Sequence, residues 1–219
     1  MKRDWHAWHQ EYDDPVSSLS RRLEVIRHEL DRALSWLETE GVDHPRLVSL
    51  CAGDGRDVLP VLAAGHPTVS ATLVENDAPL ADRARAEAAR LGLSGVDVRT
   101  ADAGVSDSVR ERVPAHLLMA CGVFGNVPDA DVLATVQSLP HLLAGNALVI
   151  WTRGHRIDPR DPSAVDGDPS TFVRQAFLDH GFCEVAFVRP EDASYRVGVS
   201  RFTGQPAPYA DGLRMFTFR

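Results

Sequence analysis

Gly53-Asp54-Gly55-Arg56-Asp57 sets two carboxylates among two glycines, between an apolar run (47–51) and a helical pattern (55–65). A glycine turn between a strand and a helix presents backbone N–H groups at a helix N-terminus, where phosphate ordinarily binds. Here Asp57 falls in the first helical turn. It would compete for the same amides and repel a pyrophosphate, and Asp54 adds a second negative charge. The dinucleotide fingerprint G-x-G-x-x-G also fails, because its third small position, counted from Gly53, is Val58. The turn suits a ligand that is adenosyl-like, unphosphorylated and positively charged near the turn.

S-adenosylmethionine, with its α-ammonium and sulfonium, meets that description. Glu75, followed by Asn76, closes the second apolar run, where an acid accepts both ribose hydroxyls. Asp102 follows the third run in "VRTADAG", where it is offered to an adenine amino group and the Ala103 amide to a ring nitrogen. The small Cys121-Gly122 step after the fourth run allows close approach to a donor, and Phe124 is placed to pack on adenine or substrate. Gly53, Asp54, Gly55, Asp57, Glu75, Asn76, Asp102, Ala103, Cys121 and Gly122 are therefore the expected cofactor-binding residues.

These groups need a parallel sheet behind them. Strands are expected at Leu47 to Cys51, Ser70 to Glu75, Val96 to Thr100, Ala115 to Cys121 and Ala147 to Arg153, with helices near 55–65, 78–91, 105–112 and 129–138. Strands alternating with helices imply parallel pairing, buried on both faces. After a helix at 170–180, "CEVAFVRP" and "SYRVGVSRF" are joined by a short loop that permits a hairpin, so one of them should run antiparallel. Residues 1–46 read as a helical extension and 47–219 as the main α/β domain. Asp14-Pro15 is a good helix start, and Leu19, Leu23, Ile26, Leu30, Leu34 and Leu37 form one apolar stripe ending at Gly41.

At these residues the sequence resembles the class I, Rossmann-like, S-adenosylmethionine-dependent methyltransferases, over about residues 46 to 203. The resemblance implies a seven-stranded, mostly parallel sheet with an antiparallel last strand and helices on both faces. More narrowly, "SLCAGDGRD", "CGVFGNV", "VIWTR" and "MFTFR" look like a set of actinobacterial methyltransferases with no assigned substrate. The family pattern at the first motif is acidic-x-Gly-x-Gly-x-Gly. Ser49 replaces its acid and Cys51 its first glycine, which leaves Asp54 or Asp57 to supply the negative charge.

The implied reaction is methyl transfer to an O or N atom of a small molecule by in-line displacement. Positioning and desolvation then supply much of the acceleration. Metal-dependent catechol-type relatives need an acid after the fourth strand and an Asp-Asn pair after the fifth. This chain has Cys121 and "TRGH" there, so catalysis without metal is expected. His155 is the first candidate for a base, with Tyr12 and His9 behind it, needed only if the acceptor carries a proton. The acceptor is expected between Trp5, Trp8 and Tyr12, the loop around Phe124 and Asn126, and the loop 154–170, with Arg153 beside it. Asp158, Asp161, Asp166 and Asp168 make a neutral or cationic acceptor the expected one.

Plainer readings stand beside these. Trp5, Trp8 and Tyr12 also fit a packing stripe, His6 and His9 a solvated helix face, His155 an exposed loop, and Arg21 and Arg22 a solvated face with a lesser chance of holding a carboxylate. A protein that binds the donor without turnover is the alternative function, and a dinucleotide oxidoreductase a distant third. A net charge of −8 over 219 residues speaks against nucleic acid. The three cysteines, Cys51, Cys121 and Cys183, read as buried reduced thiols. With no apolar signal core or membrane-length run, a soluble cytoplasmic protein is expected.

Overall fold

A computed structural model describes residues 12, 14, 16–154 and 167–218. Its strands are β1 (Arg46–Leu50), β2 (Ser70–Glu75), β3 (Val96–Thr100), β4 (Ala115–Ala120), β5 (Leu143–Gly154), β6 (Phe182–Val188) and β7 (Tyr195–Phe202). The helices are α1 (Ser18–Thr39), α2 (Leu59–Gly65), α3 (Ala78–Arg90), α4 (Asp129–Ser138) and α5 (Ser170–Asp179), with 3-10 turns at Ser106–Arg112 and Leu139–His141. The seven strands form one sheet in the order β3-β2-β1-β4-β5-β7-β6. β1 to β5 pair in parallel, and β7 runs antiparallel to both β5 and β6, as the short loop before it requires. This is the Rossmann-like arrangement with an antiparallel last strand. Because β1 lies between β2 and β4, the order reverses beside its carboxyl end, where open sheets leave a crevice.

Each face of the sheet is covered. On one, Ile26, Leu30, Leu34 and Leu37 of α1 share a core with Leu59 and Leu62 of α2 and with Leu47, Leu73 and Ile150 of the sheet. On the other, Val132 and Val136 of α4 and Val173 and Phe177 of α5 pack on Val48, Leu118 and Trp151. The apolar stripe of α1 is thus an integral layer, lying against β4, β5, β7 and α2.

The start of α1 differs from expectation. Ser17 is the N-cap, its hydroxyl accepting from the Ser20 amide at 3.0 Å, while Asp14 accepts from the Val16 amide one turn earlier. A serine followed by a helix-forming stripe satisfies the first amides without help from Pro15. α2 begins at Leu59 and not near 55, because residues 51–57 are spent in the turn itself. β5 begins at Leu143, four residues before the expected Ala147. The three cysteines are unpaired and half-buried.

Past β7, residues 203–218 run without regular structure as a strap. It hydrogen-bonds Pro140 and His141 at the amino end of β5 and then the Ser106–Arg112 turn. It ends beside the carboxyl end of β3, where Arg214 forms an antiparallel bridge with Val105.

Candidate cofactor-binding site

A cavity of about 620 Å³ opens where β1, β2, β3 and β4 end. Its floor is the turn after β1, a run of left-handed residues: Cys51 at φ 56, Gly53 at 58 and Gly55 at 75. Cys51 holds a conformation that costs a side-chain-bearing residue about 1–2 kcal/mol, which explains a glycine in the family pattern. Glu75 fixes the turn. Its carboxylate accepts from the Gly53 amide and from the Asp77 amide, each at 2.8 Å, and so ties β1 to β2.

The two turn aspartates have different fates. Asp54 is held by Arg56, at 2.8 Å to Nε and 2.5 Å to Nη2, so its charge is offset on the spot. Asp57 is half-buried and lines the cavity, and its Oδ1, itself buried, has no hydrogen-bond partner. Burial pushes its carboxyl up to about 6, and the neighbouring charge of Asp54 acts in the same direction. A carboxylate oxygen that is buried without a hydrogen bond beside a cavity is a costly group that a bound cation would satisfy.

Tyr12 and Arg22 also line the cavity, and the charge of Arg22 works to lower the Asp57 carboxyl. Arg22 donates to the Tyr12 hydroxyl at 2.7 Å, and the guanidinium of Arg56 sits over the Tyr12 ring, 4.5 Å from its centroid. Arg22 therefore belongs to the cavity and not to a solvated face, whereas Arg21 turns outward to Asp192 at 2.6 Å. Burial raises the Tyr12 pKa, which keeps the hydroxyl protonated and works against its use as a base. Cys121 and Gly122 line the β4 side. Burial raises the Cys121 thiol, so it is a small apolar wall and not a thiolate.

At the far end are Asp102 and Ala103. Burial works to raise the Asp102 carboxyl, but hydrogen bonds from Arg214 at 2.5 Å and the Gly104 amide at 2.8 Å hold it below the ordinary value. Nine of the ten expected cofactor residues face this one cavity. The tenth, Gly55, lies beneath it. A Cβ there would stand 2.8 Å from Leu59 Cδ1 and the backbone is left-handed, so helix packing and the turn both call for a glycine.

The expected acceptor residues are not assembled in the same way. Phe124 is fully buried among Trp151 and Phe177, with ring centroids 6.5 and 6.3 Å away, and touches neither end of the cavity. Arg153 donates to the Phe124 carbonyl and to Asp129 at 2.9 Å, which commits it to joining β5 to α4. Asn126 donates to the Gly122 carbonyl at 2.6 Å and shapes the loop after β4. Asp168 is neutralised by Arg196 at 2.6 Å and is not a loose acidic group. Trp5, His6, Trp8, His9, His155, Asp158, Asp161 and Asp166 lie outside the described residues. No cluster of three His, Cys, Asp or Glu side chains able to hold a metal occurs among the described residues, and none of their helices is long and apolar enough to cross a membrane.

Comparison with known proteins gives a fold and no closer kinship. No protein-family model matches the chain, and no curated protein matches it significantly. Among solved structures, a possible exported protein from Bordetella parapertussis superimposes with a TM-score of 0.65 at 16% identity, over 85% of this chain and 68% of that one. Magnesium protoporphyrin IX methyltransferase (ChlM) from Synechocystis PCC 6803, solved with bound S-adenosylhomocysteine, gives 0.63 at 15% identity, over 90% and 93%. An O-methyltransferase family protein from Burkholderia thailandensis gives 0.57 at 15%, over 81% and 60%. These likenesses establish that the chain has the Rossmann-like methyltransferase fold.

Proposed function

We propose that the chain binds S-adenosylmethionine in this cavity and transfers its methyl group to an O or N atom of a small molecule, in line and without a metal. The observation that carries the reading is Asp57, whose buried Oδ1 has no hydrogen-bond partner on the cavity floor. The α-ammonium is the group it suits, and Arg22, which also lines the cavity, suits the donor carboxylate. Glu75 has lone pairs left for the ribose hydroxyls after accepting two amides. Asp102 and the Ala103 amide then serve adenine. Bound there, the donor supplies a methyl carbon already activated toward a nucleophile. The residues of the chain hold it, keep water away through the apolar walls of Ile26, Leu80 and Cys121, and leave the cavity mouth for the acceptor.

The fold neighbours named as methyltransferases support the reaction class, and the small-molecule name of ChlM supports the acceptor class. Cys121, where a metal-dependent arrangement needs an acid, supports transfer without metal. We also retain Trp8 with the acceptor and His155 as its base where one is needed. His155→Ala is then expected to lower turnover by about a hundredfold with donor affinity unchanged.

The test is incubation of the protein with methyl-labelled donor and a metabolite extract of the source cells, read by mass spectrometry. Label appearing on one or a few small molecules is expected. Donor binding with no label transferred to any of them would make this a binding protein instead.

A further inference from the structure

Arg27 stands one residue past Ile26, half-buried at the edge of the apolar stripe of α1. Its guanidinium forks onto a single acceptor in the turn after β1: Nε at 3.0 Å and Nη2 at 2.8 Å both donate to the Arg56 carbonyl. Nη1 donates to Glu24, three residues back on the same helix, at 2.9 Å. All three nitrogens are thereby engaged, which fixes the side chain. The peptide that Arg27 grips joins Arg56 to Asp57. A peptide is planar, so holding its carbonyl also holds its amide, which belongs to Asp57. The helix thus fixes the backbone from which the Asp57 carboxylate projects.

Arg27 reaches Asp57 through charge as well. Burial chiefly raises the Asp57 carboxyl, its own amide lowers it, Asp54 raises it, and Arg22 and Arg27 of α1 lower it. The other titratable groups that face it, Tyr12 and Cys121, are both driven upward by burial and stay neutral. The two arginines stand differently to the ligand site. Arg22 lines the donor cavity, whereas Arg27 lines a second cavity of about 860 Å³ that shares Asp54 and Arg56 with the first. Arg27 therefore acts on Asp57 through the turn and does not compete for the donor's own carboxylate.

We propose that Arg27 is a positioning residue for Asp57: by gripping the Arg56 carbonyl from α1, it holds the acidic turn in the form that receives the donor's ammonium. The proposal rests on the donor reading above. The fork supplies orientation, and the guanidinium charge favours the ionised carboxylate that a cation needs. A lysine would keep the charge without the fork, and a methionine would keep the apolar stem with neither.

The test uses the full chain, Arg27→Met and Arg27→Lys. The Asp57 carboxyl is titrated by carbon-13 NMR in the ligand-free protein, its resonance identified by its loss in Asp57→Asn. S-adenosylhomocysteine affinity is measured by calorimetry at pH 6 and pH 8, beside thermal melts. In the unaltered chain the midpoint is expected at about 6. Arg27→Met is expected to move it upward and to weaken S-adenosylhomocysteine on the order of tenfold at pH 8, and by more at pH 6, where a larger share of Asp57 is then protonated. Arg27→Lys is expected to return the midpoint but only part of the affinity. An unmoved midpoint or an undiminished affinity in Arg27→Met overturns the proposal. A lower melting temperature with both of these unmoved makes Arg27 a structural clamp and overturns it too. If the unaltered chain binds no S-adenosylhomocysteine while the midpoint still moves, the donor reading falls and the hold of Arg27 on Asp57 stands.

Discussion

In the proposed site, Asp57 couples donor binding to stability. Its carboxyl rises from 3.8 to about 6 on folding, chiefly through burial. The charged form is therefore disfavoured in the folded state. Sign follows: below about pH 4 the group is protonated folded or unfolded and contributes nothing. Its destabilising effect grows as pH rises to 6 and is full above it, on the order of 3 kcal/mol at 1.36 kcal/mol per unit. Asp57→Asn is thus expected to stabilise the ligand-free protein at pH 8, by about 1–2 kcal/mol once the cost of a buried amide is deducted, while donor affinity falls sharply; thermal melts with and without S-adenosylhomocysteine check both. In the unaltered chain, donor affinity should decline as pH drops through 6, toward tenfold per unit. Glu75→Ala should weaken donor binding by roughly 1–3 kcal/mol, since ribose hydroxyls and the Gly53 and Asp77 amides all lose an acceptor. An unchanged titration would show that Glu75 serves the turn alone. The sequence showed that acids stand where phosphate would sit, but not which acid is available. Arg56 reaching back two residues to Asp54 is a side-chain choice that no spacing encodes. Phe124 was illegible for a related reason: an apolar residue after a strand reads equally as ligand wall or as core.

The elements were more legible than the side chains, because period and turn chemistry act locally. β2, β3 and α4 occupy the expected spans, and the antiparallel β7 follows from a loop too short for a crossover. Misplacements occur where two local signals compete, as at the start of α1, where Ser17 prevails over Asp14-Pro15. Of the strap the sequence offered only the terminal "MFTFR" as a likeness and no position in the fold, because the segment has no period and only its tertiary hydrogen bonds define it. Two predictions belong to this scale. Leu34 is fully buried between α1 and the sheet, and Leu34→Ala should cost about 2–5 kcal/mol in a denaturant melt. Deleting residues 1–14 removes Tyr12 from the cavity but leaves the α1 stripe and its Ser17 cap. We expect turnover to be lost while circular dichroism and most of the melting transition persist. Full activity in the truncated chain would reduce that segment to packing.

At the scale of the molecule, one sheet brings together residues from positions 12 to 218, and the cavity exists only because β1 sits between β2 and β4 with the strap closing the β3 end. The reversal of strand order locates the cavity, and in the proposed reading the acidic turn selects among adenosyl ligands. A Rossmann-like sheet by itself would serve a dinucleotide as well as a sulfonium donor; the difference lies in Asp57 on the floor. The most direct measurement is calorimetric titration of the full chain at pH 8 with S-adenosylhomocysteine and, in parallel, with NAD. The account predicts saturable one-to-one binding of S-adenosylhomocysteine and no measurable heat from NAD. Micromolar binding of NAD, or none of S-adenosylhomocysteine, would contradict it.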